Sequence, residues 1–250
     1  MNGAAYSLWS HLPRRVKGKL HDQILEAFCR YSRAQPQLAS LAGLGPYDLV
    51  VHIGAHLAEE ARLYEWLGAS QVVWFEADPD LAQAARKRLA RISTATHTVV
   101  SCAVSDRDGE LVTLNRFSNG GASNSLHLPS GHMEEQYPDV VLTGATVDTT
   151  TTTLSTGLAD LGLTPDRTSR SLLVLDVQGH EHRILSWEAA SGLLNLFEVV
   201  MVEVSVEPHY EDSEDAESII ALMKDAGFAP ASIAPPDHGD MIFRRVERQS

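Results

Sequence analysis

Cysteine is scarce in this sequence, and the two that occur, Cys29 and Cys102, stand far apart. Neither has the paired or short spacing that a disulfide framework or a zinc knuckle requires. Neither a disulfide framework nor a zinc knuckle is therefore indicated. A reducing compartment, the cytoplasm, is the expected location.

Positive charge is also scarce, with 20 Lys and Arg against 33 Asp and Glu and a formal net charge of −13. Such a surface gives no electrostatic reason to bind phosphate backbones or anionic membranes. No apolar run reaches the roughly 18 residues that a membrane-spanning helix needs, and the first residues lack the pattern of a secretory signal. We expect neither a nucleic-acid partner nor a membrane span.

The sequence does contain enough apolar residues for a sizeable core, 44% of 250 residues. A chain of this length and composition commonly forms one α/β domain. Apolar residues at helical spacing precede the first buried strand. We therefore predict an N-terminal helical extension over residues 1–46 and a main domain over 47–250, with an insertion over 106–170.

Continuous apolar runs alternate with segments of helical periodicity along the main domain. This alternation predicts a parallel, doubly wound sheet with right-handed crossovers, and a final hairpin over 231–246 fits an antiparallel edge. The predicted strands cover residues 47–53, 71–75, 98–104, 171–176 and 197–203, and the predicted helices cover 57–67, 78–89, 184–190 and 219–226.

The insertion carries weaker signals. Residues 109–117 alternate as a half-exposed strand, and the serine- and glycine-rich segment 118–125 indicates a loop. The five consecutive threonines at 149–153 are β-branched, which favours an edge strand over a low-complexity segment.

The turn after the first predicted strand contains Gly54, where a glycine allows the chain to approach a ligand closely. The dinucleotide fingerprint has three glycines at such a turn, so the single glycine argues against NAD. Glu76 ends the second predicted strand, 22 residues after Gly54. An acidic residue at this spacing accepts hydrogen bonds from ribose hydroxyls. The pair predicts a site for a ribose-bearing cofactor.

Asp176 ends another predicted strand and is closely followed by His180 and Glu181. The carboxyl ends of parallel strands lie at one edge of a sheet, so we expect Asp176 to lie over the same crevice as Gly54. A carboxylate or an imidazole there is suited to positioning or deprotonating a hydroxyl. The alternatives are helix capping for Asp176 and an exposed helix position for His180.

Other polar residues offer weaker hypotheses. Glu203, Glu207 and His209 follow the fifth predicted strand and, with Asp176, include suitable ligand types for a divalent metal. We favour a site without metal. His52 lies within the first strand, and we interpret it as a hydrogen-bonded core histidine.

Taken together, these motifs resemble the FkbM-type methyltransferase family, members of which methylate hydroxyl groups of natural products and sugars. The resemblance covers residues 48–227. It is carried by VHIGAH at 51–56, VWFEADP at 73–79, AVSDRDG at 103–109, ASNSL at 122–126, LDVQGHE at 175–181 and VE at 202–203.

The resemblance implies a Rossmann-like class I methyltransferase fold with a mostly parallel seven-stranded sheet and helices on both faces. It also implies S-adenosylmethionine as the cofactor and a small hydroxylated acceptor. We predict Asp176, His180 and Glu181 as the catalytic residues. Within the site, Gly54 and Ala55 would contact the methionine part, Glu76 the ribose, the segment 103–106 the adenine and Asp176 the reacting end. The implied cofactor residues are Gly54, Ala55, His56, Glu76, Ala77, Ala103, Val104, Asn124, Ser125 and Asp176.

The sequence departs from the family pattern at His52, where aspartate is usual, at Ala58, where a second glycine is common, and at Ser155, where aspartate usually follows Thr-Leu. The first two departures keep open a catalytically degenerate binding or scaffold protein. A nucleotide-dependent oxidoreductase is a further alternative, disfavoured by the missing glycines and the lack of a Tyr-x-x-x-Lys pair. The oligomeric state stays open, a homodimer included.

Overall fold

A computed structural model describes residue 41, residues 43–91 and residues 95–246 of the chain. The predicted N-terminal helices lie almost entirely outside these described residues. The division of the chain at residues 46 and 47 therefore stays a prediction.

The main architectural element is a seven-stranded sheet with the order β3-β2-β1-β7-β8-β10-β9. β10 runs opposite to the other six strands and is antiparallel to both of its neighbours, β8 and β9. This topology confirms the expected mostly parallel sheet with an antiparallel hairpin at one edge. The strands are β1 (Leu49–Ile53), β2 (Gln71–Glu76), β3 (Thr96–Ser101), β7 (Ser171–Leu175), β8 (Val199–Ser205), β9 (Phe228–Pro230) and β10 (His238–Arg245).

Helices cover both faces of this sheet. Tyr64, Ala85 and Leu89 pack against one face, and Leu154, Ile184 and Met223 pack against the other. The central strands β1 and β7 are buried along their whole length, which explains their continuous apolar sequences. The helices are α1 (Ala61–Trp66), α2 (Pro79–Leu89), α3 (Gly131–Gln136), α4 (Leu154–Asp160), α5 (Glu181–Ser191) and α6 (Ala216–Asp225), with a 3₁₀ turn at Leu194–Leu196.

Local sequence explains where α2 begins. The side chain of Asp78 accepts a hydrogen bond from the backbone N–H of Asp80, and Pro79 occupies the first turn. Three basic residues in the last turn complement the helix dipole. The helix therefore starts at Pro79, three residues after Glu76, so Glu76 lies at the end of β2.

The insertion supplies two strands, β5 (Leu111–Phe117) and β6 (Leu142–Thr152), of a second, three-stranded sheet. Its order is β4-β6-β5, and β4 (Ala103–Val104) lies just before the insertion. Two sequence predictions need correction here. Residues 98–104 form no single strand, because the chain leaves the large sheet after Ser101 and pairs with β6 from Ala103 onward. The threonine run lies in the central strand of the small sheet, not at its edge, since β4 pairs on its other side.

The helix predicted over 57–67 is also shorter than expected. It begins only at Ala61, because His56 and Ala58 adopt left-handed backbone conformations with φ of 44° and 53°. Among the described residues, none of the helices has the length and apolar character needed to cross a membrane.

Candidate active site

The turn at Gly54 brings two strand ends together. Gly54 has a φ of 88°, and a Cβ atom there would lie 1.7 Å from the carbonyl oxygen of Asp176. A side chain at this position would therefore collide with the end of β7. The backbone N–H groups of Gly54 and Ala55 both donate to the carbonyl oxygen of Phe75. Glycine is required because β1, β2 and β7 converge here.

Glu76 holds the loops that follow two of these strands. Its Oε2 accepts from the backbone N–H of His56 at 2.6 Å, and its Oε1 accepts from the backbone N–H of Asp78 at 2.8 Å. Burial raises the pKa of Glu76 to about 7, although these two hydrogen bonds favour the ionised form. Each oxygen keeps a further lone pair for a ligand.

A cavity of about 260 Å³ opens at this edge of the sheet. It brings together almost every residue that the sequence assigned to the cofactor, with Ser125 as the exception. The predicted cofactor residues that line it are Gly54, Ala55, His56, Glu76, Ala77, Ala103, Val104, Asn124 and Asp176.

Asn124 and Ser125 lie side by side in the insertion loop but have different surroundings. Asn124 lines the cavity, and its Nδ2 donates to Oδ2 of Asp78 at 3.1 Å. Ser125 is fully buried and donates to the carbonyl oxygen of Gln178 at 2.6 Å. Ser125 therefore fastens the loop to the segment after β7 and does not line the cavity.

Asp176 lies in a group of acidic residues. The side-chain amide of Gln178 donates to Oδ1 of Asp176 and, at 2.8 Å, to Oε2 of Glu203. Burial and the nearby charges of Glu203, Asp240 and Glu181 raise the pKa of Asp176 well above its usual value. A carboxyl group in this environment binds a proton tightly and favours a positively charged neighbour.

His180 lines the cavity, but both of its ring nitrogens are engaged. Nε2 lies 3.0 Å from Oγ of Ser105, and Nδ1 lies 3.0 Å from Nε2 of His127. Burial and the neighbouring His127 and Arg183 lower the pKa of His180 to about 4. The ring is therefore neutral near pH 7, and this geometry favours a positioning role over that of a general base.

Glu181 is buried beneath the same loop. Its carboxylate accepts from the backbone N–H of Val177 at 2.7 Å and of Gly179 at 3.0 Å. These contacts fix the loop that carries Asp176 and Gln178, and Glu181 is not among the residues that line the cavity.

The match to a protein family is consistent with this arrangement. The sequence model of the methyltransferase FkbM domain family matches residues 48–230, well over half of the chain. The chain belongs to the FkbM methyltransferase family. Membership confirms the expected enzyme class and S-adenosylmethionine as the cofactor of this methyltransferase.

Solved structures of other methyltransferases resemble this FkbM protein at low sequence identity. The magnesium protoporphyrin IX methyltransferase of Synechocystis, solved with bound S-adenosylmethionine, is 11% identical with a TM-score of 0.44, over 98% of this chain and 93% of that one. An O-methyltransferase family protein of Burkholderia thailandensis is 12% identical with a TM-score of 0.47, over 98% of this chain and 63% of that one. Comparison with curated proteins gives no match.

Sequence reasoning missed two side chains of the FkbM site. Gln178, which bridges Asp176 and Glu203, has a φ of 56° and accepts from the hydroxyl of Tyr210 at 2.6 Å. His127 lies in the insertion, 53 residues before its partner His180. No local pattern marks either contact, although Gln178 lies within the motif LDVQGHE at 175–181.

The proposed alternative metal ligands do not converge. Glu203 pairs with His238 at 3.1 Å, Glu207 pairs with His132 at 3.0 Å, and His209 contacts Gln136. Across the part of the chain that the structure describes, no group of three or more His, Cys, Asp or Glu side chains is arranged to hold a metal ion.

Proposed function

We propose that this methyltransferase transfers a methyl group from S-adenosylmethionine to a hydroxyl oxygen of a small sugar or natural-product acceptor. The observation that supports it is the single cavity shared by Gly54, Glu76 and Asp176. This cavity lies at the carboxyl ends of the parallel strands, where open α/β sheets bind their ligands.

The residues present suit the cofactor. The carboxylate of Glu76 uses one lone pair of each oxygen on the backbone, so two acceptor sites are left for the two ribose hydroxyls. Ala103 and Val104 supply apolar surface for a flat base beyond Glu76. Asn124 covers the cavity from the insertion.

S-adenosylmethionine supplies an electrophilic methyl group next to a positive sulfonium charge. Asp176 lies at the opposite end of the cavity from Ala103, across the strand order β3-β2-β1-β7. A positive charge at that end favours ionised Asp176. The ionised carboxylate would then align the acceptor hydroxyl and take up its proton.

His180 would separate the cofactor from the acceptor side. It lines the cofactor cavity and also a second cavity of about 660 Å³ that contains His127, Arg183 and Trp187. Trp187 is 44% exposed. Asp176 does not line this second cavity, so we assign it to the part of the acceptor beyond the reacting hydroxyl, with an aromatic face for a ring and polar groups for other hydroxyls.

Thermal denaturation with added ligands tests the proposed function. A ligand at 100 times its dissociation constant adds about 2.7 kcal/mol to the free energy of unfolding. S-adenosylhomocysteine should therefore raise the melting temperature by several degrees, and NAD or NADP should not. Stabilisation by a nicotinamide cofactor alone would indicate an oxidoreductase. Binding without methylation of any acceptor in a hydroxylated panel would favour a scaffold protein.

A further inference from the structure

His52 is a buried residue in the wall of the cofactor cavity. Its side chain stacks on Trp74 with ring centroids 5.2 Å apart, and only 4% of the residue is exposed. Nδ1 lies 2.8 Å from the hydroxyl of Tyr64. Nε2 is buried and has no hydrogen-bond partner among the described residues. His52 is therefore the hydrogen-bonded core histidine that the sequence predicts, bonded at Nδ1 and unpartnered at Nε2.

The position of the protons follows from the surroundings of Tyr64. This residue is fully buried, and within the described residues its hydroxyl contacts only Nδ1 of His52. A buried O–H without an acceptor is costly, so the hydroxyl donates to Nδ1. Burial lowers the pKa of His52 to about 4, which keeps the ring neutral. The single ring proton then lies on Nε2.

An unpaired N–H at Nε2 calls for an acceptor from a ligand. The strand order places Ala103 at one end of the cavity, Glu76 over β2 and Asp176 over β7. With the base near Ala103 and the ribose at Glu76, the methionine tail extends over β1, the strand that carries His52. This tail ends in a carboxylate and an amino group, and only the carboxylate accepts a hydrogen bond.

We infer that Nε2–H of His52 donates a hydrogen bond to the carboxylate of the cofactor's methionine tail, an inference that rests on the proposed cofactor site. Glu60 also lines this end of the cavity, and burial raises its pKa. Glu60 is therefore less often ionised than an exposed glutamate, which reduces its repulsion of the ligand carboxylate.

Calorimetry with three ligands tests the assignment. The probes are S-adenosylhomocysteine, its analogue without the carboxylate and its analogue without the amino group. Loss of the carboxylate should weaken binding to the wild-type protein by roughly 10- to 150-fold, as expected for a hydrogen bond to a charged group. In His52→Phe the same loss should change affinity by no more than about twofold, while the effect of removing the amino group stays as in wild type.

His97→Phe is the matched control, because His97 also stacks on Trp74, with centroids 6.1 Å apart, and does not line the cavity. It should keep the wild-type preference for the carboxylate. An equal carboxylate effect in wild type and His52→Phe would overturn the inference and leave the proposed function intact. If wild-type protein failed to bind S-adenosylhomocysteine, both would be overturned.

A second measurement uses only wild-type protein, in case His52→Phe does not fold. NMR of ¹⁵N-histidine-labelled protein identifies which nitrogen of His52 carries the proton. We expect Nε2 to be protonated and its signal to shift with S-adenosylhomocysteine but not with the decarboxylated analogue. A proton on Nδ1, or the same shift with both ligands, would contradict the inference.

Discussion

Glu76 and Asp176 are two carboxylates at the same edge of one sheet and in the wall of one cavity, yet their surroundings differ. Glu76 accepts two backbone N–H groups, one on each oxygen. Asp176 accepts one side-chain N–H from Gln178 and faces other acidic residues. Backbone hydrogen bonds hold the carboxylate of Glu76, whereas other acidic side chains surround that of Asp176.

The difference shows how one residue type serves two tasks. Burial raises both pKa values, but hydrogen bonds to Glu76 counteract it, so its pKa is about 7. Around Asp176 the charges of Glu203, Asp240 and Glu181 add to the effect of burial. Glu76 is therefore suited to holding hydroxyl groups, and Asp176 to binding a proton during the reaction.

The largest effect is expected for Asp176→Asn. This nearly isosteric change removes the group that would take the acceptor's proton, so turnover should fall by about 10²- to 10⁴-fold. Affinity for S-adenosylhomocysteine should change far less. Steady-state kinetics and calorimetry measure the two quantities. Asp148→Asn, at an exposed position on β6, is the control. Full activity in Asp176→Asn would remove Asp176 from the reaction.

Glu76→Ala should show the opposite pattern. Loss of hydrogen bonds between a carboxylate and the ribose should weaken S-adenosylhomocysteine binding by roughly 1.5–3 kcal/mol, or more if both hydroxyls lose their partner. Turnover at saturating cofactor should fall less than in Asp176→Asn. Calorimetry measures the affinity, and circular dichroism verifies folding, because Glu76 also holds two backbone groups. An unchanged dissociation constant in a folded variant would exclude Glu76 from the site.

Much of this comparison could be predicted from the sequence, because both carboxylates directly follow buried apolar strands. The continuous apolar runs of β1, β2 and β7 fix where those strands end. Their parallel packing then brings the ends together.

Contacts between distant segments could not be predicted in the same way. The change of sheet after Ser101 and the pairing of β4 with β6 depend on residues some 50 positions away. Asn124 and Ser125 are adjacent residues of one polar loop, so the local sequence does not distinguish them. Yet Asn124 lines the cavity, and Ser125 is buried against Gln178. Likewise, the two ring nitrogens of His180 are engaged by Ser105 and His127, which one sequence does not reveal.

The pH dependence of cofactor binding provides a smaller test of Glu76. Below pH 7 the carboxyl group holds a proton and loses acceptor capacity, so affinity should rise with pH as the proton leaves. With a pKa of about 7, the ionised fraction increases roughly tenfold between pH 6 and pH 8, and affinity should follow it. Calorimetry over this range should give a flat profile for Glu76→Gln. A wild-type profile that is flat, or that falls with pH, would contradict the assignment.

The smallest effect is expected on the acceptor side, for Trp187→Ala. His180 lies between the cofactor cavity and the cavity that contains Trp187, so the substitution should leave S-adenosylhomocysteine affinity unchanged. Loss of an aromatic contact of about 0.5–1.5 kcal/mol should raise KM for the acceptor by roughly 2- to 12-fold. Because 44% of Trp187 is exposed, its truncation should lower stability only slightly.

Kinetics with varied acceptor at saturating cofactor measure KM, and Trp66→Phe on the opposite face of the sheet is the control. If Trp187→Ala weakened cofactor binding and left KM unchanged, the acceptor would have to bind elsewhere. The assignment of Glu76 to the cofactor and Asp176 to the acceptor would then have no acceptor site to support it.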